Sequence, residues 1–162
     1  MIRVETFIQN PTIANDNHGV ERYLSIDSFS VINKEELLYG YIEIYNEDTK
    51  VFESTIEVLP DYWFISLQMI EELFQEGVGS WEFPTLLKFE TVDADTILIQ
   101  QNEELYHFPK KTLIKAMLDA CTVFVHASEK FLNYPYPYEL VKEKYLKIIE
   151  ELHEKNNALW WN

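Results

Sequence analysis

Apolar and polar side chains alternate along most of the first two-thirds of the chain. This period of two is typical of strands that have one packed face and one wet face. It is clearest in residues 40–58, where a polar turn at 46–49 separates two alternating runs and predicts a hairpin. On this pattern the acids, including Glu43, lie on the wet face. The residues predicted to face the core are Ile42, Ile44, Phe52, Ile56 and Val58.

Directly after this hairpin the spacing of apolar residues changes from two to three and four, which predicts a helix. Asp61 is expected to cap its amino terminus, and Gly77 to end it in the left-handed conformation. Because a strand–strand–helix unit buries its stripe against the sheet it has just left, this helix is expected to pack on the hairpin. The stripe consists of Trp63, Leu67, Ile70 and Phe74.

The rest of the chain continues with similar strand and helix patterns. We predict strands at residues 2–9, 20–27 and 104–108, a second hairpin at 86–101, a loop at 77–84, and helices at 109–132 and 138–155. Prolines at 135 and 137 predict a stiff break between the last two helices. The sequence therefore predicts a single α+β domain over residues 1–162, mainly an antiparallel sheet packed against about three helices.

Charge changes the picture of what this domain binds. Its 28 Asp and Glu against 13 Lys and Arg give a formal net charge of −15. The strand-rich residues 1–108 hold 21 acids and 5 bases, a charge of −16, whereas the helical residues 109–162 hold 7 and 8, a charge of +1. Such a field repels nucleic acid and anionic membranes and attracts basic proteins or cations. The alternative is that the acids only keep the protein soluble.

Two features indicate a cytoplasmic protein. No apolar run approaches the roughly 20 residues that a membrane span needs, and the alternating start of the chain lacks the apolar core of a signal peptide. The single Cys121 excludes an intrachain disulfide framework, so a reducing compartment is expected.

Few residues suggest catalysis or metal binding, and we expect no catalytic residue, no cofactor and no metal site. Asp93 and Asp95 form a DxD pair, but two aspartates in a hairpin turn are more often turn formers. Cys121 lies on an apolar helix stripe, five residues from His126 and therefore on another side of the helix, so a buried structural cysteine is expected. The four histidines have no metal-binding spacing; they are His18, His107, His126 and His153.

The order of patterns resembles a known class of proteins. GYIEIYNEDTKVF, the helix containing Trp63, FPTLLKFETVDADTILIQ and FPKKTLIKAMLDACTVFV follow one another, covering about residues 36–132. This layout resembles small immunity proteins of bacterial polymorphic toxin systems, including the contact-dependent growth inhibition type. The resemblance implies a cytoplasmic α+β domain that binds and blocks a cognate toxin domain, often a basic nuclease. It rests on element order without an invariant motif, and it assigns no binding residue.

We therefore expect a non-enzymatic binding protein that neutralises a basic protein toxin domain through its acidic surface. Complementary charge speeds encounter and fixes orientation, while aromatic anchors supply most of the affinity. Reversing several of these charges is expected to weaken binding and flatten its salt dependence. The expected partner-binding residues are Glu43, Glu47, Asp48, Glu53, Glu57, Glu71, Glu72 and Glu76.

Three other functions stay open on the sequence. One is an interaction or scaffold subunit, with Trp160 and Trp161 folding back onto the domain, meeting a partner or joining a homo-oligomer. Another is an inhibitor that mimics DNA with its acids. The third is a metal-assisted hydrolase using Asp93, Asp95 and further carboxylates, which a rise in melting temperature with divalent metal would favour.

Overall fold

The structure, a computed structural model, describes residues 1–9, 23–26, 38–82, 86–129 and 138–158. Within them lie nine strands and three helices. The strands are β1 (Ile2–Gln9), β2 (Tyr23–Ser25), β3 (Tyr39–Asn46), β4 (Thr49–Glu53), β5 (Glu57–Val58), β6 (Val78–Trp81), β7 (Leu87–Thr91), β8 (Thr96–Gln101) and β9 (Glu104–Pro109). The helices are α1 (Leu59–Glu76), α2 (Lys110–Ser128) and α3 (Tyr138–Ala158). This is an α+β fold, as the sequence predicts, with two antiparallel sheets instead of one.

The first sheet has the strand order β2-β1-β3-β4, and the short β5 pairs with the beginning of β3. All its pairings are antiparallel. One face of the sheet is apolar and fully packed, and the alternation of the strands turns the charged and aromatic positions to the other face. The apolar side chains buried on this face include Ile2, Ile8, Ile42, Ile44 and Phe52. This confirms the predicted inward face of the hairpin except at Ile56, which is exposed, and Val58, which is half-buried.

The second sheet is a meander with the order β6-β7-β8-β9. Its buried inward residues are Leu87, Phe89, Ile97, Ile99 and Phe108, and β7 and β8 form the second predicted hairpin. The turn between β7 and β8 lies at 92–95, as predicted. β6 is the shortest strand of this sheet. Its Gly79 lies so close to Met69 of α1 that a Cβ there would be 2.4 Å from the Met69 carbonyl oxygen.

Helix α1 contacts mainly β6 and β7 of the second sheet, so it does not pack chiefly on the hairpin as expected. Of its predicted stripe, Trp63, Leu67 and Ile70 are buried and Phe74 is half-buried. Gly77 ends it at φ 79°, and its N–H donates to the Leu73 carbonyl. This is the left-handed end that glycine favours.

A side chain at the corner of the molecule joins the two sheets. The buried Gln101 of β8 accepts from the Thr55 N–H at 3.1 Å and donates to the Glu53 carbonyl at 3.0 Å. Nearby, the rings of Phe52 and Tyr106 meet edge to face with centroids 4.9 Å apart. These contacts, with the helices, close one continuous hydrophobic core over both sheets.

Three sequence predictions are wrong in detail. Asp61 does not cap α1, because the helix begins at Leu59 with a proline in its first turn and places Asp61 inside that turn. Ile56 is 54% exposed because the strand breaks at 54–56, between β4 and β5. Residues 78–81 form β6 and not a loop, since they pair with β7 from Val78↔Glu90 to Trp81↔Leu87.

Other predictions fall on the rest of the chain or shift by a few residues. Helix α2 ends at Ser128, before the predicted residue 132, and α3 extends to Ala158. The proline-rich break at 133–137, the ends of the predicted strand at 20–27, and Trp160 and Trp161 lie outside the described residues.

Candidate functional site: the outward face of the first sheet

The eight predicted partner-binding acids lie in two groups of elements. Glu43, Glu47, Asp48, Glu53 and Glu57 belong to the first sheet and its β3–β4 turn. Glu71, Glu72 and Glu76 lie in the last two turns of α1. Only in the first sheet does strand pairing align the acids with one another.

Three carboxylates form a row across the first sheet. Glu43 of β3 lies directly opposite Glu5 of β1 on one side and opposite Glu53 of β4 on the other. Antiparallel partners of this kind have Cβ atoms about 4.5–5.5 Å apart, and like charges placed so are destabilising. We name this set of three residues the glutamate row.

Glu43 is not the exposed contact residue that the sequence predicts. Its residue exposure is only 7%, because the neighbouring strands and side chains surround it. The Tyr45 hydroxyl donates to its Oε2 at 2.7 Å, and Lys50 Nζ lies 3.7 Å from the same oxygen. The bond to Glu43, reinforced by burial, raises the pKa of Tyr45 to about 12. Glu43 therefore organises the row from within, while Glu5 and Glu53 form its accessible ends.

Aromatic rings flank the glutamate row on both sides. On one side Phe7 and Tyr41 face each other across β1 and β3 and stack with centroids 5.1 Å apart. Tyr23 of β2 meets the Tyr41 ring edge to face at 5.4 Å. On the other side Tyr45 lies opposite Arg3. We name the glutamate row together with Phe7, Tyr23, Tyr41 and Tyr45 the tyrosine–glutamate face.

Two cations of the chain itself already bind this face. The Arg3 guanidinium lies 4.6 Å from the centre of the Tyr45 ring, and its Nε is 3.3 Å from Glu5 Oε1. Lys50 Nζ donates to Glu53 Oε1 at 3.3 Å, a bond that raises the pKa of the amine. The chain therefore shows on this face how a basic group is held, by a carboxylate and an aromatic ring together.

The remaining predicted acids have other surroundings. Glu47 at the hairpin turn contacts the Met1 amino group, and Asp48 beside it is exposed. Glu57 is half-buried and accepts from the Thr55 hydroxyl at 2.8 Å, so it faces its own loop. Glu71 Oε1 lies 3.8 Å from Lys155 of α3. Glu72 is half-buried and Glu76 is exposed, so the helix acids form a separate, looser cluster.

Asp93 and Asp95 are turn formers. Asp93 Oδ1 accepts the N–H groups of Asp95 and Thr96, both at 2.8 Å, and these bonds lower the pKa of Asp93. The buried Lys110 at the start of α2 donates to the Asp93 carbonyl at 2.7 Å. Burial lowers the pKa of this amine, while Asp93 and Asp95 oppose that effect. The Lys110 side chain thus fixes the turn to α2, while Asp93 Oδ1 stabilises the turn itself.

The other candidates of the sequence analysis that the structure describes are Cys121 and three histidines, since His18 lies outside the described residues. Cys121 is buried, as predicted, and burial raises the pKa of its thiol. Over the described ranges, no cluster of three or more His, Cys, Asp or Glu residues could hold a metal ion. His153 Nε2 lies 3.3 Å from Asp119 Oδ1 between α3 and α2.

Sequence reasoning missed Glu5 and the aromatic residues of the face. Alternation placed the Tyr41–Glu43–Tyr45 positions away from the core, but it contained no register between β1 and β3. The register joins Glu5 to Glu43 and Phe7 to Tyr41. A signal was present: Arg3, Glu5 and Phe7 repeat at the same spacing as Tyr41, Glu43 and Tyr45, in the reverse order expected of an antiparallel pair.

Comparison with protein-family models, with curated proteins and with solved structures finds no match to this chain. Within the described residues, no helix is both long enough and apolar enough to cross a membrane.

Proposed function

We propose that this protein binds a basic protein partner through the tyrosine–glutamate face, and that the partner is a toxin domain which the complex neutralises. The observation that carries the proposal is the glutamate row between two sets of aromatic rings. Tyrosine supplies a large, rigid contact surface with a hydroxyl at its end, and it is enriched among residues that dominate binding energy.

The charges of the face favour a basic partner. The side chains of Glu5 and Glu53 are 29% and 50% exposed, so a partner can reach both ends of the row. The repulsion within the row is relieved when further positive charge arrives, and Arg3 and Lys50 already show such contacts. A net charge of −15 adds long-range attraction, which acts on the association rate.

The neutralising role rests on the resemblance to immunity proteins and on the charge of the chain. An inhibitor needs a surface and no chemistry of its own, and the described residues offer such a surface. Toxin binding, a cytoplasmic location and the absence of enzymatic activity together form one proposal, which the following experiment tests.

The first test immobilises the protein, passes lysate of its source organism over it and elutes with a salt gradient. We expect one basic protein to stay bound until high salt, and to lose its toxic activity in the complex. If no protein is retained, or if the retained protein keeps full activity when bound, the proposal fails.

The second test asks whether the tyrosine–glutamate face makes the contact. Glu53→Lys and Tyr41→Ala change one accessible carboxylate and one aromatic ring, and each is expected to weaken binding about tenfold or more. The salt dependence is expected to flatten only in Glu53→Lys. Glu103→Lys is the matched control, because it reverses an equally acidic exposed residue in the β8–β9 turn of the other sheet. Equal weakening by Glu103→Lys would show that net charge, not this face, governs binding.

The helix acids are tested in the same assay. Glu72→Lys and Glu76→Lys separate the predicted α1 cluster from the sheet. A loss of affinity confined to these two variants would move the contact surface to α1 and leave the toxin-binding proposal intact.

A further inference from the structure

A cleft opens between the three helices, away from the tyrosine–glutamate face. It lies where the first turns of α1 and α3 meet the last turns of α2, and its volume is about 350 Å³. Its walls are apolar and buried: Trp63, Leu67, Cys121, Phe124, Val125 and Val141. We name it the helix cleft. Its volume lies within the range of pockets that hold small ligands.

The mouth of the helix cleft combines apolar and basic groups. Phe64 is 41% exposed and its ring meets Tyr145 edge to face at 5.9 Å. Among the described residues of the lining, Lys142 is half-buried and Lys144 exposed, against one acid, Asp61. In a chain of net charge −15, two lysines beside one acid make this mouth locally basic. An anion that the rest of the surface repels is therefore favoured here.

Size and chemistry narrow the ligand class. Pockets for small ligands range from about 300 to 1,000 Å³, so this one is at the lower end and suits a single alkyl chain better than a nucleotide or a large cofactor. Two polar side chains of the lining are buried. The Ser128 hydroxyl already donates to the Val125 carbonyl at 2.8 Å, whereas the Trp63 indole N–H has no hydrogen-bond partner among the described residues. The interior thus offers a ligand apolar contacts and one N–H donor.

We propose that the helix cleft binds a single-chain aliphatic carboxylate, with the alkyl chain between α1, α2 and α3 and the carboxylate at Lys142 and Lys144. This site is independent of the proposed toxin binding, since it uses different residues on different elements.

Calorimetric titration of the full chain with dodecanoate, below its micelle concentration, tests the proposal. We expect saturable binding of one molecule per chain. The double variant Lys142→Glu/Lys144→Glu is expected to weaken it at least about tenfold, as loss of two charge-assisted contacts does. Lys147→Glu is the matched control, because this exposed lysine of the same helix lies outside the cleft lining; it is expected to bind dodecanoate as the wild type does.

A second ligand separates charge recognition from simple apolar binding. Dodecyltrimethylammonium has the same chain and the opposite charge, and it is expected not to compete with dodecanoate. The proposal is overturned if dodecanoate shows no saturable binding, if the double variant binds it unchanged, or if the cationic analogue competes equally. Circular dichroism of each variant, with wild-type helix content required, ensures that a loss of binding reports on the site.

Discussion

The two sheets obey the same alternation of inward and outward residues, yet they differ in what they present away from the core. Across the first sheet, Glu5, Glu43 and Glu53 face one another in neighbouring strands. Across the second sheet, Lys88 faces Ser80 and Gln100, and Glu90 faces Val78 and Leu98, so no like charges meet. Lys88 and Glu90 instead pair along their own strand at 3.0 Å.

This difference separates what folding requires from what it tolerates. The second sheet shows that the fold can be built with outward residues that do not repel one another. The glutamate row breaks the rule that like charges do not lie opposite one another, and places where a sequence breaks a local rule are expected to serve function. The comparison therefore supports the first sheet, and not the second, as the partner-binding surface.

The largest effect is expected at one glycine in each sheet, where a side chain would meet neighbouring backbone atoms. A Cβ at Gly79 would lie 2.4 Å from the Met69 carbonyl oxygen, and one at Gly40 would lie 2.0 Å from that of Phe7. Gly79→Ala and Gly40→Ala are each expected to lower the free energy of unfolding by about 3 kcal/mol or more, because backbone atoms must shift. Urea denaturation measures this, with the exposed Ser80→Ala as control. A loss below about 1 kcal/mol for either glycine would contradict the packing described.

A smaller effect is expected where the two sheets join. Gln101→Ala leaves the Thr55 N–H and the Glu53 carbonyl without their side-chain partner, and it is expected to cost about 1–3 kcal/mol in the free energy of unfolding. Gln100→Ala is the matched control, since that side chain bonds only its own turn at the surface, through the Asn102 carbonyl. Equal losses in the two variants would mean that Gln101 does not join the sheets.

A smaller effect distinguishes the two sheets by its sign, because removing one glutamate charge is expected to stabilise the first sheet and destabilise the second. Glu43→Gln removes the central charge, and we expect the free energy of unfolding to rise by about 0.5 kcal/mol. Glu90→Gln in the second sheet removes one partner of an exposed ion pair and is expected to lower it by about 0.5 kcal/mol or less. Parallel denaturation curves of the two variants decide the matter. A loss of stability in Glu43→Gln would show that the contacts of Glu43 with Tyr45 and Lys50 outweigh the repulsion within the row.

The same substitution has a consequence for titration. The bond to Glu43 raises the pKa of Tyr45 to about 12 from its ordinary value of 10.0. This contribution to stability is fully present below pH 10 and is lost as pH rises towards 12. Glu43→Gln is expected to lower the pKa of Tyr45, because a neutral partner tolerates the phenolate. The ultraviolet difference between each protein and its Tyr45→Phe counterpart isolates this phenol. An unchanged midpoint would mean that Glu43 does not control it.

Most helices and strands could be predicted from the sequence, because buried residues repeat along the chain with the period of each element. Trp63, Leu67 and Ile70 of the α1 stripe are buried as expected, and so is Cys121 on α2. It failed where tertiary contacts override local signals. Residues 78–81 carry a glycine and a tryptophan that suggest a loop, but pairing with β7 makes them a strand. Asp61 is a good capping residue in isolation, yet α1 begins two residues earlier.

The candidate site was predictable only in part, for a different reason. Composition indicates an acidic surface, and alternation places Glu43 on the outward face. Which acids meet depends on strand register, which joins residues far apart in the chain, such as Glu5 and Glu43. Burial of Glu43 follows from that register too, since its neighbours come from two other strands. The eight predicted acids therefore identify acidic elements of the chain, but not the arrangement of residues that forms the tyrosine–glutamate face.

Cys121 provides the chain with a reporter of its own internal motion. It is the single cysteine among 162 residues and is only 1% exposed, in the wall of the helix cleft. Since the side chain is buried, a disulfide reagent such as dithionitrobenzoate reacts faster when the surrounding helices separate. The rate of Cys121 labelling thus reports on opening of the helices around it. A molecule that fills the helix cleft is expected to slow this labelling. The absorbance change of the reaction therefore reports on helix opening and on ligand binding in the cleft, and no engineered residue is needed.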